Sequence, residues 1–392
     1  MKRIIAMIVV SLCAGILAVS PVLAATSPAL SFLTDAVYDE VGYYSEGLVW
    51  VKEDGVYKYL DQNGKVVIDL SEKKYTLDRG YKDMTVQNFH EGLACITIYN
   101  EENPDPGATD AYYIDTKGNI VLSLGQVNKK INNKELSITR FCSSFAEGIT
   151  IADCLPQADT YFVDKEGNYR SFPITMDYSY WYTEGLLCSI RNDGLEGGQW
   201  GYVDSEVNTA IPFVFEAVRP FNQGLAPVMK NGKWGFIDKS GKVIIKYQFT
   251  NFWVTDSNYT YKVFNDGLAC VQKDGKWGFI NKAGKTVIPF EYAQSSSFVN
   301  GYATVKNSDG TYSYINKKGK TLFKTKYADA NCFTEKGIAI VGSKGVYKLI
   351  NAKGTKVSKE TWKFDATAVT AMDPDAVFYK KNDKWGIAKI VD

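Results

Sequence analysis

The twelve residues NGKWGFIDKSGK (231–242) return almost unchanged as DGKWGFINKAGK (274–285). A chain that writes one segment twice is built from a small module, and the period of that module governs its fold. A second signature, aromatic-x-acidic-Gly, gives the count. It ends at Gly47, Gly92, Gly148, Gly185, Gly224, Gly267 and Gly301, with Gln223 and Asn300 in the acidic slot of two copies. A version with one inserted residue, FTEKG, ends at Gly337. Each glycine opens an apolar run such as LAPVM (225–229), followed by a Gly-containing turn, the Trp-Gly segment, a second turn and another apolar run.

The Trp-Gly position reads Trp200-Gly201, Trp234-Gly235, Trp277-Gly278 and Trp385-Gly386. It becomes Tyr57-Lys58, Tyr312-Ser313 and Tyr347-Lys348 in other copies, and Ala111 and Thr160 replace the aromatic in two more. An Asp or Asn stands four residues later throughout, from Asp61 to Asn351, and a turn glycine follows in all of those copies except the one at Asp204. About eight full repeats and a truncated ninth therefore cover residues 25–392 as a single domain.

Runs of four to six apolar and β-branched residues bounded by Gly, Asn and Asp are strands. Asn-Gly and Asp-Gly tolerate the positive φ of tight hairpin turns. In the D-K-S-G-K turn, the short polar side chain bonds its own backbone before glycine completes the reversal. Segments such as FEAVRPF (215–221) and YAQSSSF (292–298) supply a short fourth strand. The class is all-β, made of tandem antiparallel meanders. Both parities of LACV and VIPF are apolar, so each sheet is expected to be covered on both faces by its neighbours. Stacked twisted sheets fan into a β-propeller-like ring, with an open β-solenoid as the alternative. The ends favour closure. The chain stops after KWGIAKIVD, one strand short, and SPALSFLTDAVY (27–38) begins where that strand would lie. Tyr38 also precedes Gly47 by the same interval as Tyr292 precedes Gly301.

On these residues the chain resembles the WG (or KWG) repeat proteins of bacteria, most closely over 221–290. The resemblance implies a repeat architecture and assigns no chemistry. The expected setting is the envelope of a Gram-positive bacterium.

Lys2-Arg3, the apolar run from Ile4 to Val19, and Val22-Leu23-Ala24 before Ala25 form a secretory signal peptide, residues 1–24. No later stretch is long and apolar enough to anchor the mature chain in a membrane. Export makes the protein secreted or associated with the cell envelope. The 392 residues carry 45 basic and 44 acidic side chains and one histidine. This balance speaks against nucleic acid as a partner, and a lone histidine against a His-based catalytic device or metal cluster. Cys95, Cys188 and Cys270 recur at one repeat position, which marks them as buried free thiols.

The repeated side chains look structural. Trp is expected to fill the space between sheets while its glycine lets the neighbouring sheet approach. The carboxylates of Glu46, Glu91, Glu147, Glu184 and Asp266 occur once per repeat, which suits a turn role. His90 is the variable residue of its turn, expected at the surface. The acidic loop 100–111 has oxygen ligands for calcium but no EF-hand spacing, so a solvated hairpin tip is expected there. What does not repeat is the better place for a site: Tyr180, Trp181, Trp253, Tyr259 and Tyr261, aromatics of the inter-repeat segments. No catalytic residue, metal ligand or cofactor is assigned. The expectation is an exported, non-enzymatic protein that binds a protein or cell-wall glycan through one face. A glycoside hydrolase or lyase on the same scaffold is the alternative, and a sensory or scaffolding ectodomain a third reading.

Overall fold

A computed structural model describes residues 27–71, 83–99, 109–131, 138–141, 143–154, 159–172, 182–191, 198–252, 262–309, 311–325, 327, 329–369 and 373–391. Among them the chain forms nine antiparallel sheets. Eight take their strands in chain order, a to d from first to last. Blade 5 is the type, with strands Ala217–Val218, Ala226–Lys230, Lys233–Ile237 and Val243–Phe249. Blade 6 differs only in its first strand, which is broken into Asn251–Phe252 and Phe264–Asn265.

Blade 9 closes the ring. Its strands a to c are Ala366–Ala368, Ala376–Lys381 and Lys384–Val391, and its fourth is Ala29–Phe32 from the opposite end of the chain. Ala29 stands opposite Val391 and Phe32 opposite Ala388. Burial tells the same story. Nine hydrophobic clusters fill the spaces between successive sheets among the described residues, whereas an open stack has one interface fewer than its sheets. The closing cluster packs Val51 and Leu60 of blade 1 on Phe378 and Ile387 of blade 9. The fold is a nine-bladed β-propeller.

The aromatic of the aromatic-x-acidic-Gly signature locks each blade to the one before it. Phe89 meets Tyr59 with ring centroids 4.9 Å apart, Phe221 meets Tyr202 at 4.9 Å and Phe298 meets Phe279 at 4.7 Å. Where the partner is Tyr, its hydroxyl also crosses the interface. Tyr59 donates to the Gln87 carbonyl at 2.6 Å, Tyr202 to Arg219 at 2.7 Å and Tyr314 to Asn331 at 2.7 Å. Such a pair contributes about 0.5–1.5 kcal/mol beyond its buried area. Repeated around the ring, this specifies how blades stack.

The turns behave as their residues require. Asp54-Gly55, Asn231-Gly232 and Asp274-Gly275 hold positive φ at both central positions, the geometry that matches strand twist in two-residue hairpins. Asp61 Oδ1 accepts the amides of Asn63 at 2.8 Å and Lys65 at 2.9 Å, and Asp238 does the same with Ser240 and Lys242.

Two expectations need correction, and one element is additional. Strands b and c are covered on both faces, but strand d is wet on one. Ile68, Ile245 and Ile288 are buried while their neighbours Val67, Ile244 and Val287 are exposed. The Trp-Gly glycine does not admit the next sheet; it admits its own outer strand. Trp234 pairs with Phe249 but Phe236 pairs with Ile245, so two residues of strand c face four of strand d. A Cβ on Gly235 would lie 2.7 Å from the Ile245 carbonyl oxygen of that bulge. The same bulge lies over Gly201 and Gly278. Where the slot holds Lys58 or Ser313, pairing runs residue for residue: Lys58 with Asp69, Ser313 with Lys324. The tryptophan half of the expectation stands. Trp234 is buried and meets Phe252 of the next blade at 4.9 Å. The third difference is a helix, Leu124–Ile131, after strand d of blade 2. Ser123 Oγ accepts the Gln126 amide at 3.3 Å and Gln126 Oε1 accepts the Ser123 amide at 2.8 Å, a reciprocal cap that starts it. Leu124, Val127 and Ile131 bury one face between blades 2 and 3.

Candidate functional site

Antiparallel chain order gives the ring two unlike faces. The a–b and c–d turns share one, and the b–c hairpins and blade-to-blade connections share the other. On the first face the repeated carboxylates form a relay of turn-to-turn bonds. The Gly92 amide donates to Glu46 at 2.9 Å, Gly148 to Glu91 at 2.9 Å, Gly185 to Glu147 at 2.7 Å and Gly301 to Asp266 at 2.6 Å. Each acid thus caps the signature turn of the following blade. Asn300 keeps the tie by donating to the Phe333 carbonyl at 2.8 Å. Lysines of the c–d turns reach back: Lys165 pairs with Glu91 at 3.2 Å and Lys239 with Glu184 at 3.3 Å. The turn role expected of these acids is what the geometry gives them.

The other face carries the length variation. The strand ends flanking 72–82, 100–108, 155–158, 173–181 and 192–197 all belong to b–c hairpins or blade-to-blade connections. The five aromatics singled out from sequence, Tyr180, Trp181, Trp253, Tyr259 and Tyr261, lie outside the described residues, as do the signal peptide and residues 100–108 of the acidic loop. His90 is half-buried. Cys95, Cys188, Cys270 and Cys332 are free thiols, and the first three are buried. Burial pushes Cys95 and Cys270 up to about 12, and Cys332 to about 11, which removes thiolate character at neutral pH.

The described residues bring together a group that the sequence did not flag. Where the ring closes, a cavity of about 480 Å³ lies between residues of blades 9, 1 and 2. The inner strand of blade 1 forms one wall through Val41 and Gly42, and Trp50, Phe378 and Trp385 supply aromatic surface. A Cβ on Gly42 would fall 2.4 Å from the Trp50 indole nitrogen, so the glycine leaves room for the ring. The indole therefore lies against the inner strand. From blade 2 comes Asn88, only 2% exposed, and neither polar atom of its carboxamide has a hydrogen-bond partner.

At the mouth stand Asp39 and Glu40, both already engaged. Asp39 accepts Lys384 at 2.5 Å and the Asp54 amide at 2.9 Å, while Glu40 pairs with Lys52 at 3.3 Å. The Lys384 ammonium holds the Asp39 carboxyl below the usual carboxylate range. The site is aromatic, contains a buried amide lacking partners, and has its rim charges balanced. Repeat phase hides it. Trp50 occupies the slot of Cys95, Cys188 and Cys270, and Asn88 the slot before the signature aromatic, held by Ser144, Val263 and Ser297 elsewhere. Departures from the repeat at those two slots are the signal that sequence offered.

Comparison with known proteins agrees with the repeat. The WG containing repeat matches residues 32–57, 200–234, 234–277, 277–312 and 312–347. No curated protein matches the sequence. Among solved structures, the chain is similar to a eukaryotic initiation factor at 11% identity and TM-score 0.55, over 86% of this chain and 96% of that one. It is also similar to BamB from Moraxella catarrhalis, at 10% identity and TM-score 0.43 over 93% and 96% of the two chains. The C-terminal WD40 domain of Sif2 aligns at 9% identity and TM-score 0.43, over 93% and 98%. At such identity the first of these speaks for the fold alone. With its matched copies spread from blade 1 to blade 8, the chain carries the WG containing repeat.

Proposed function

We propose that this protein is an exported, non-enzymatic binding propeller of a bacterial envelope, holding a protein or cell-wall glycan on its hairpin face. The observation that carries the reading is the cavity at the closing seam, walled by the aromatic rings of Trp50, Phe378 and Trp385. Concave sites with apolar walls and few convergent polar groups are where ligands bind. The opposite face supports the same choice of side, because its carboxylates are used in blade-to-blade bonds. Export is supported by Lys2-Arg3, the apolar run to Val19 and the small residues before Ala25.

The full chain expressed in a bacterial host tests this. The expected product is an exported protein whose N-terminus begins near Ala25. It binds intact cells or sediments with purified peptidoglycan, without releasing reducing sugar. A product kept in the cytoplasm with its leader intact, or one that ignores both cells and wall, overturns the proposal. Release of reducing ends favours a hydrolase instead.

A further inference from the structure

We propose that the turns of blades 5 to 8 form a cationic arc that binds a linear polyphosphodiester, at a site separate from the seam cavity. The nearly neutral total charge conceals a split at the blade boundary after residue 216. Residues 25–216 carry 15 basic and 30 acidic side chains, and residues 217–392 carry 28 basic and 14 acidic. The split is sharper on the face that gathers the a–b and c–d turns. The c–d turns of blades 1 to 4 (61–65, 115–119, 164–168 and 204–208) hold three lysines and six acids. Those of blades 5 to 8 (238–242, 281–285, 316–320 and 351–356) hold nine lysines and one acid, Asp238. All nine lysines are exposed, Lys242, Lys285, Lys318 and Lys320 among them. Of the nine, only Lys239 has a carboxylate within ion-pair distance among the described residues, Glu184 at 3.3 Å.

The arc loses its acids without losing its turns, which separates charge from architecture. Asn281 Oδ1 accepts the amides of Ala283 at 3.1 Å and Lys285 at 3.0 Å, the same bonds that Asp61 makes in blade 1. Asn316 and Asn351 repeat them. In the signature turns, Gln223 and Asn300 stand where blades 1 to 4 have glutamate. Both still tie to the next blade, donating to the Phe264 and Phe333 carbonyls. An amide serves the fold at these five slots, so what changes is the field of the face. Lysine ammonium groups are point charges on flexible stems, suited to phosphates spaced along a chain rather than to one bidentate group. No c–d turn of the arc carries an aromatic residue to stack on a base, which disfavours nucleic acid. A flat anionic membrane would also meet the acidic half of the same face. A second copy would have to offer that half, whose Glu46, Glu91 and Glu147 are already occupied by turn amides.

Calorimetric titration of the mature protein with poly(glycerol phosphate) tests the assignment. Because lysines displace counterions from the polymer, affinity is expected to fall about tenfold or more between about 50 and 200 mM NaCl. Asn281→Asp, Asn316→Asp and Asn351→Asp together restore the acids without touching a lysine. That triple variant is expected to bind about tenfold more weakly at an unchanged melting temperature. Lys285→Gln, Lys318→Gln and Lys320→Gln should weaken binding in the same way. Lys230→Gln, Lys344→Gln and Lys381→Gln remove as much charge from the hairpin face and should leave binding close to that of the parent. No binding at low salt, or equal losses from the arc and hairpin-face variants, overturns the proposal. Tighter binding to anionic lipid vesicles, or to a single-stranded oligonucleotide of equal charge, overturns the ligand class. Salt-sensitive dimers that the asparagine-to-aspartate variant abolishes would overturn it too, by assigning the arc to a second copy of the chain.

Discussion

At the scale of single residues, the structure separates side chains that the repeat demands from those it tolerates. Asp204 opens the one c–d turn whose glycine slot is filled by another residue, and Val207 there sits at φ 67°. A β-branched residue in the left-handed region costs about 1–3 kcal/mol, part of which Val207 recovers by packing at the edge of the blade 3–4 cluster. Val207→Gly is therefore expected to stabilise the protein by about 1 kcal/mol, read as a higher denaturant midpoint at unchanged slope. An unchanged or lower midpoint would mean that packing outweighs strain.

Elements show how a local sequence sets strand register. The Trp-Gly glycine and the two-residue bulge of strand d occur together in blades 4, 5 and 6, and neither occurs in blades 1 and 7. Gly235→Ala is expected to cost about 2–3 kcal/mol, because the new Cβ meets backbone rather than a movable side chain. Deleting Lys246 and Tyr247 as well removes the bulge and is expected to return most of that loss. If the deletion adds to the damage instead, glycine and bulge are not coupled.

The c–d turns make a prediction about acid. Amides of Lys65 and Asn63 hold the Asp61 carboxyl below its ordinary value, and the Ser240 hydroxyl with the Lys242 amide does so for Asp238. A carboxyl lowered by folding adds stability that is complete above its unfolded pKa, about 4, and lost as pH falls through the lower folded value. Melting temperature should thus stay level from pH 8 to 5 and fall below about pH 4. The pair Asp61→Asn and Asp238→Asn should flatten that fall, since Asn281 and Asn316 already hold the same turn. Parallel curves for parent and variant would contradict this origin.

Much of this scale was legible beforehand. Hairpin and Asx turns follow from residues whose conformational preferences are local. Tyr38 was in phase with Tyr292 because both stand opposite a Trp-Gly tryptophan, Trp385 and Trp277. The partner of the glycine was not legible, since the bulge depends on the length of a strand ten residues away. Nor was the helix at 124–131: it is a single short element whose cap, Ser123 with Gln126, reads as ordinary polar sequence. The seam cavity was hidden because Trp50, Asn88 and Trp385 are remote in sequence and converge only when blades 9, 1 and 2 meet.

On the scale of the whole molecule, the sequence left ring and solenoid both open, because every contact within a blade is the same in either. The difference lies in one strand. Ala29–Phe32 is the outer strand of blade 9, and closure brings residues near both ends of the chain into register. The Tyr379 hydroxyl donating to the Thr34 carbonyl at 2.8 Å, and Lys384 on Asp39, are further bonds across that seam. The proposed binding site is a product of closure too, as its walls come from blades on both sides of the join. Opening the ring would dismantle it. The most direct measurement replaces Ser31 and Lys389, which face each other in the closing pair, with cysteine. After mild oxidation the ring predicts a 31–389 cross-linked peptide by mass spectrometry, from protein that remains monomeric. Absence of that peptide, or its appearance only in covalent dimers, would contradict a closed nine-bladed propeller.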